Sequence, residues 1–283
     1  MTVKIRFLGG FEEIGANSTY FYLDGTGIIL DAGLHPKKRD RNAFPKIENI
    51  ADEPADLLAL SHAHTDHIGG IPYVLKYHPQ LKIFATRATR DLVEYMLKDS
   101  AKILKSEIAL EYSDEMLSLF KPEVLRKINL IIDGFKYNED ISFTGNSGLQ
   151  EVKMKFLPSG HILGSAALYM EVGGKKILHT SDVNFADQNL IPAAELPRHH
   201  IDTLIIESTN AGTEPIPGYQ SEKQRLATFI NEVVNENGSL LLPVFALGKM
   251  QEILKILYDL MWAGKIPHLP IFTGGLGKVI SKV

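Results

Sequence analysis

The sequence predicts an α/β protein: one large strand-rich domain, followed by part of a second in which strands and helices alternate. Three observations predict it. An alternating apolar and polar pattern flanks a tight turn near the N-terminus; a short, wholly apolar run leads into a polar turn and then a long helix; and beyond residue 208 helical and apolar segments follow one another at regular intervals. With 283 residues the chain can bury one large core or two smaller ones.

Taken in order, residues 1–10 read as a first strand rather than a leader peptide. Alternation over 18–23, a turn at Asp24-Gly25 and the apolar Ile28, Ile29 and Leu30 describe a hairpin ending at Asp31. Asp31 can then cap the turn at Gly33 or brace neighbouring ligands. Lys37, Lys38, Arg39 and Arg41 follow in a loop, either solvated or set against phosphate. The run 56–60 is short enough for a buried strand, and 81–85 is the next. Between them Thr65 or Asp66 is expected to cap a helix running to about residue 77. From 89 to about 108 the spacing is helical, with Leu92, Tyr95, Met96 and Leu104 on one face and Lys98, Lys102 and Lys105 on another, wet face. More helix is expected over 114–117 and 124–126. A strand over 153–157 delivers His161, and a second hairpin, 167–171 with 176–179, ends at Asp182. His179 is assigned to packing, His199 and His200 to the surface before a strand over 203–206, and His35 and His78 to no role. A glycine- and proline-containing connection spans 210–218. Beyond it come a helix over 222–237 closed by Gly238, a strand over 240–245, a helix over 249–262, a strand over 269–273 and a helix starting at Gly277. Such alternation argues a parallel, helix-covered sheet.

Chemistry concentrates in Ser61-His62-Ala63-His64-Thr65-Asp66-His67-Ile68-Gly69-Gly70. Where the chain leaves the strand still extended, His62 and His64 project to the same side and both reach one ion. Asp66 and His67 are turned differently by the tight bend, which makes room for a second ion. Imidazole nitrogen and carboxylate oxygen at about 2.0 to 2.2 Å suit zinc, and manganese or iron shares those ligand types. A histidine-rich polar turn with no ion is the competing reading.

This HxHxDH string resembles the signature of the metallo-β-lactamase fold superfamily, which adds an aspartate after an early strand, a histidine after a later one and an aspartate after the next hairpin. Asp31 in Ile28-Ile29-Leu30-Asp31-Ala32-Gly33, His161 in Pro158-Ser159-Gly160-His161-Ile162-Leu163-Gly164-Ser165, and Asp182 in His179-Thr180-Ser181-Asp182 fill those places in order. The resemblance implies an αββα sandwich over 1–208. It also implies that His62, His64 and His161 hold one zinc ion, that Asp66 and His67 hold another, that Asp182 bridges them, and that Asp31 orients the ligands. Glu207-Ser208-Thr209 and the stretch from Leu242 to Leu254 are similar to motifs of the β-CASP branch, the RNA and DNA nucleases. Gly9-Gly10-Phe11-Glu12-Glu13-Ile14-Gly15-Ala16-Asn17 resembles the opening of ribonuclease J-type members. Residues 209–283 are thus expected to form a partial β-CASP-like module. The branch implies an RNA-processing phosphodiester hydrolase using a hydroxide shared by two ions, which Asp66 can also orient. Glu207 would assist leaving-group protonation, or simply end a strand.

Departures from that branch shape the expectation. Its members usually continue further and supply two more histidines, whereas His268 is the only histidine after Glu207 here, and Asn210-Ala211-Gly212 replaces the usual Tyr-Gly-Asp. The chain is therefore expected to be a fragment or a natural truncation, with a weaker second ion and slow or no RNA cleavage alone. The alternatives are a small-molecule metallohydrolase of thioesterase or lactonase type, since fold does not fix substrate, and a metal- and RNA-binding protein with little turnover.

Composition bounds these readings. Hydrophobic residues make up 45% and aromatic residues 8%, and no apolar run approaches the ~20 residues of a membrane span, so a cytoplasmic protein is expected. With no cysteine, any metal must rest on His, Asp and Glu. Net charge of −4 gives no global attraction to nucleic acid, so a nuclease needs local basic residues and the cations, manganese being the alternative to zinc. Single-stranded RNA and a second copy, as a homodimer, are the expected partners, with no membrane.

Overall fold

The computed structural model describes residues 2–106, 112–213 and 218–282. The chain divides into two units, the first comprising 1–186 with 193–207, the second 187–192 with 208–283.

Two sheets make the first unit. One runs β1 (Val3–Gly9), β2 (Ser18–Leu23), β3 (Thr26–Leu30), β4 (Leu57–Leu60), β5 (Lys82–Thr86) and β6 (Ile132–Phe135), neighbours pairing in that order. Pairing is antiparallel from β1 to β3 and parallel from β3 to β6. The other sheet runs β11 (Thr203–Ile205), β10 (Lys175–His179), β9 (Ala166–Val172), β8 (Val152–Pro158) and β7 (Ile141–Phe143). Only the β10–β11 pair is parallel within it.

Alternation decides what each sheet buries. Phe21, Leu23, Ile28, Leu30, Leu57 and Ala59 of the first sheet meet Val152, Met154, Phe156, Leu168, Met170 and Ile177 of the second in one apolar layer. Each such Leu, Ile, Phe or Met side chain contributes about 1.5 to 3 kcal/mol on full burial. Ile29, Leu58, Leu60, Ile83 and Ala85 face the other way and are buried too, because a helix, α3 (Arg87–Ser106), packs over β5 and β6. Burial on both faces explains why 57–60 carries no polar residue. On α3 the apolar face is as expected: Leu92, Met96 and Leu104 are buried, and Lys98 pairs with Glu94. The expected end near residue 108, and the side chain of Lys105, lie outside the described residues. The outer face of the second sheet carries Leu157, Ala167, Tyr169 and Leu178, against which Leu196 and Ile201 pack.

Local chemistry differs from expectation in three places. The helix expected from the metal turn to residue 77 is two: α1 (Thr65–Ile68) and α2 (Ile71–Tyr77), restarted at Gly70 with Pro72 in the first turn. Neither Thr65 nor Asp66 caps it. His64 holds the N-cap position without a side-chain bond, and the Thr65 hydroxyl meets Ser100 Oγ at 3.2 Å. Two strands, β6 and β7, went unforeseen, being only four and three residues long; β6 directly follows α5 (Pro122–Leu130), whose apolar end merges with it in sequence. The expected helix at 114–117 is α4 (Asp114–Ser118), capped by the Ser113 hydroxyl accepting from Met116 N.

In the second unit α6 (Tyr219–Asn235), α7 (Lys249–Trp262) and α8 (Gly275–Ile280) match the expected helices. Asn237, with φ of 53°, closes α6 in the left-handed conformation rather than Gly238, whose N–H returns to Val233 O. The strands expected at 240–245 and 269–273 are irregular, outside any sheet of the described residues. Burial still alternates over the first: Leu240, Leu242 and Val244 are partly buried, Leu241 and Phe245 exposed. The inward side chains are satisfied by packing on Ile230, Leu257 and Ile266 rather than by pairing, and Pro243 and Pro270 remove backbone donors that a ladder needs. Residues 214–217 of the expected connection lie outside the described residues.

Candidate metal centre

Two strand ends from each sheet converge on one place. From the first sheet, β3 ends at Asp31 and β4 runs into His62 and His64; from the second, β8 leads to His161 and β10 to Asp182. Tight backbone makes the approach. A Cβ on Gly33 would lie 1.7 Å from Asp66 O, so only glycine lets the β3 end pass the metal turn. Asp31 and Ser181 hold φ of 63° and 51°, strained conformations of a kind that gathers at functional sites.

Four donor atoms of His62, His64, His161 and Asp182 lie within 4.8 Å of one another. His62 Nε2 is 3.1 Å from His64 Nδ1, and His161 Nε2 is 3.2 Å from the same nitrogen. Asp182 Oδ2 stands 3.5 Å from His161 Nε2 and 3.8 Å from His62 Nε2. A tetrahedral cation with ligands at about 2.0 to 2.2 Å needs donor-to-donor edges of about 3.3 to 3.6 Å. These four separations, 3.1 to 3.8 Å, bracket that range, so the donors can surround a single ion after small shifts.

Asp182 faces two ways. Its Oδ2 belongs to that group while its Oδ1 lies 3.3 Å from His67 Nε2, which is also 3.7 Å from Asp66 Oδ2. Asp66 and Asp182 thus both lie near His67 Nε2, a looser second donor set, whereas the group gathered within 4.8 Å among the described residues is His62, His64, His161 and Asp182. Burial would raise the Asp182 pKa, but hydrogen bonding to His67 and the charges of His67, His161 and His64 outweigh it and hold the group down to about 2. It is a carboxylate at any working pH.

Behind the donors lies a buried hydrogen-bonded frame. Asp31 Oδ2 accepts from His67 Nδ1 at 2.7 Å, which presents Nε2 to the second donor set. The same carboxylate accepts from Ser61 Oγ at 2.6 Å, and its Oδ1 from Ser61 N at 2.7 Å. Asp31 therefore holds His67 and Ser61 rather than capping the Gly33 turn, whose Gly33 N donates to Asn17 O. Ser181 Oγ donates to Ser61 Oγ at 2.7 Å. Burial lowers the pKa of His62, reinforced by its neighbours His67, His64 and His161. For His67 burial pulls the same way, but the Asp31 and Asp182 carboxylates prevail and raise it. A proton there competes with a cation for the same nitrogen.

Other histidines sort as follows. His179 is partly buried, accepting at Nδ1 from Ser181 N at 3.0 Å with Nε2 3.3 Å from Thr19 Oγ1, so it packs behind the site. His199 and His200 are exposed, and His35 Nδ1 accepts from the N–H groups of Lys37 and Lys38. Glu207 is not among the converging donors; its Oε1 accepts from Val183 N at 3.3 Å, next to Asp182. Ser61 and Asn17 are residues that sequence reasoning left without a role. Ser61 sits one position before His62, on the opposite face of an extended chain, which is the signal that it points behind the ligands. Asn17 Nδ2 lies 2.9 Å from His67 Nε2 and 3.2 Å from Asp66 Oδ2.

Comparison with known proteins agrees with this geometry. Residues 21–209, more than half of the chain, match the model of the metallo-beta-lactamase superfamily domain. The RNase J-like protein of Methanocaldococcus jannaschii is 33% identical over 96% of this chain and 58% of its own length. Cleavage and polyadenylation specificity factor 73 of Drosophila melanogaster is 32% identical over 95% of this chain and 38% of its own. Endoribonuclease YSH1 of Saccharomyces cerevisiae is 30% identical over 96% and 35%. The chain thus spans from about a third to under two thirds of these relatives. A structure of a protein of unknown function from Enterococcus faecalis V583 shares the fold with a TM-score of 0.55 at 15% identity, covering 91% of this chain and 63% of that one. With its two-sheet sandwich matched and the signature histidines and aspartates gathered at one end of it, the chain belongs to the metallo-β-lactamase superfamily.

Proposed function

We propose that this protein is a metal-dependent phosphodiester hydrolase of the β-CASP branch acting on single-stranded RNA, in the cytoplasm. The observation that carries the reading is the convergence of His62, His64, His161 and Asp182 with the edges of a tetrahedral site. The names of relatives similar over nearly the whole chain supply the substrate class.

In this reading those four residues would hold one cation, and Asp66, His67 and Asp182 would hold another. The donor set suits zinc, with manganese as the alternative. Three side chains against four make the second position the weaker. Such cations supply Lewis acidity, lowering the pKa of water toward neutrality and neutralising phosphate charge. The chain's own residues set the geometry: Asp31 fixes which nitrogen His67 offers, Ser61 fixes Asp31, and Asp66 accepts a hydrogen bond that directs the attacking water. Glu207, one step behind Asp182, is assigned to the leaving-group side. Domain limits of 1–208 and 209–283 go with this assignment.

The test is a comparison of the zinc-loaded full chain, its chelated form and His64→Ala on single-stranded RNA and on a thioester. RNA cleavage that needs zinc and His64 supports the reading. Thioester hydrolysis without RNA cleavage makes it a small-molecule hydrolase, and RNA binding without turnover makes it a binding protein. Sedimentation of the same samples reads out a homodimer.

A further inference from the structure

The loop between β1 and β2 presents a flat aromatic face beside the metal turn. Phe11 is 60% exposed and Phe7 43%, and their rings stack with centroids 5.1 Å apart and planes 19° from parallel. Ile14, on the same loop, is 63% exposed. Single exposed apolar residues are ordinary; a stacked pair, Phe7 near the end of β1 and Phe11 on a loop anchored at a candidate active centre, is a different matter. The anchoring is specific. Asn17 N donates to Asp66 O at 2.9 Å, Gly33 N to Asn17 O at 3.0 Å, and the Asn17 carboxamide reaches Asp66 Oδ2.

The loop is also closed on itself. A Cβ on Gly10 would lie 2.1 Å from Asn17 Oδ1, and one on Gly9 2.0 Å from Ala16 O. Left-handed backbone at Gly10, Glu12, Gly15 and Ala16 curls the intervening chain. Gly10 abuts the Asn17 carboxamide, whose Nδ2 is 2.9 Å from His67 Nε2, and Phe11 follows Gly10 directly, with adjacent Cα atoms about 3.8 Å apart. The aromatic pair is thus tied, through one residue, to a side chain that touches the metal turn, where a nucleotide beside the one being cleaved would pass. Charge around it is mixed, since Glu12 next to Phe11 is exposed. Glu13, whose carboxylate would repel a phosphate, is paired with Lys38 at 2.7 Å and held below its usual pKa by that lysine. Lys37 and Arg41 are exposed in the same basic loop as Lys38.

We propose that Phe11, stacked on Phe7 and positioned through Asn17, is a platform for one base of a single-stranded RNA substrate. The proposal rests on RNA being the substrate class, as argued above. Every base has a π face, so the platform grips without choosing sequence.

The test uses the zinc-loaded full chain and a short single-stranded oligoribonucleotide carrying 2-aminopurine, with affinity read by anisotropy and stacking by quenching of the base. Phe11→Ala is expected to weaken binding about 5- to 100-fold and to relieve the quench, as losing one stacked base does. Phe11→Leu, which keeps apolar bulk without a π face, should behave like it, and Phe11→Trp should restore both signals. Removing the fluorescent base should cost the wild type the same factor and cost Phe11→Ala nothing further. Metal content and melting temperature should be unchanged throughout. Binding by Phe11→Ala within twofold of wild type, with the quench intact, overturns the platform and leaves the RNA reading standing. A wild type that binds no RNA overturns both.

Discussion

Replacing His179 by asparagine should flatten the acid limb of this protein's stability curve. The imidazole of this partly buried residue is turned away from solvent behind the metal centre, and that desolvation lowers its pKa from 6.5 to about 4. In the unfolded chain it takes a proton near pH 6.5; in the folded chain only near pH 4. Between those values the unfolded state binds more protons, so stability present above pH 6.5 is lost as pH falls, until the folded imidazole titrates too. The gap is about two and a half pH units, and at about 1.36 kcal/mol per unit the full loss is about 3 kcal/mol, with about 2 kcal/mol of it gone by pH 5. Asparagine keeps an oxygen near the place of Nδ1 to accept from Ser181 N, and does not titrate. Urea unfolding of chelated wild type and His179→Asn, followed from pH 7 to pH 4, reads the effect as a difference in which groups away from Asp31, His67 and Asp182 cancel. The two stabilities should converge by about 2 kcal/mol at pH 5. Parallel curves would mean that His179 charges freely in the folded state, and the burial argument would be wrong.

Further outcomes follow from the site and its surroundings. His62→Ala or His64→Ala should remove the ion of the four-donor site, measured by elemental analysis after dialysis, with circular dichroism unchanged; full occupancy in either variant counts against that site. Asp182→Asn should lower metal content at both positions, and by more than Glu207→Gln, since Asp182 turns one oxygen to each donor set. Gly33→Ala should be poorly folded or metal-free, because its methyl group would need the space of Asp66 O; a variant with native zinc content refutes that. In the second unit the buried Glu252 carboxylate accepts from Asn189 N, Asn189 Nδ2, Leu190 N and the Tyr219 hydroxyl. Glu252→Gln should cost about 2 kcal/mol, the range of a hydrogen bond to a charged group, and speed hydrogen exchange at Asn189 and Leu190; unchanged exchange rates there would sink the idea.

The metal turn was legible because its signals are local. HxH in an extended exit forces two imidazoles to one side, and the apolar run before it could only be a buried strand. The long helices were equally plain, since a buried stripe at helical spacing survives any tertiary context. What sequence could not show is the frame behind the ligands: the bonds from Ser61 to Asp31 and Ser181 join residues far apart in the chain and depend on how two sheets register. Neither β6 nor β7 was visible, being too short for two-residue alternation to declare itself. The segments at 240–245 and 269–273 show the reverse failure. Burial alternates over the first, and Leu240, Leu242 and Leu269 pack inward while 270–273 are exposed, yet burial reports which side is covered, not whether a neighbouring strand pairs with the backbone.

The origin of the donors has a consequence for how occupancy can be measured. His62 and His64 extend from the first sheet, His161 and Asp182 from the second, so a cation among them is a rivet through the two layers. Prying the layers apart must then release the ion, and filling the site must raise the temperature at which they part. A ligand bound only to the folded form at a hundred times its dissociation constant adds about 2.7 kcal/mol. Melting curves across a zinc series would therefore report the affinity of the centre with no substrate present, and would rank His62, His64, His161 and Asp182 by how much of that increment each variant forfeits.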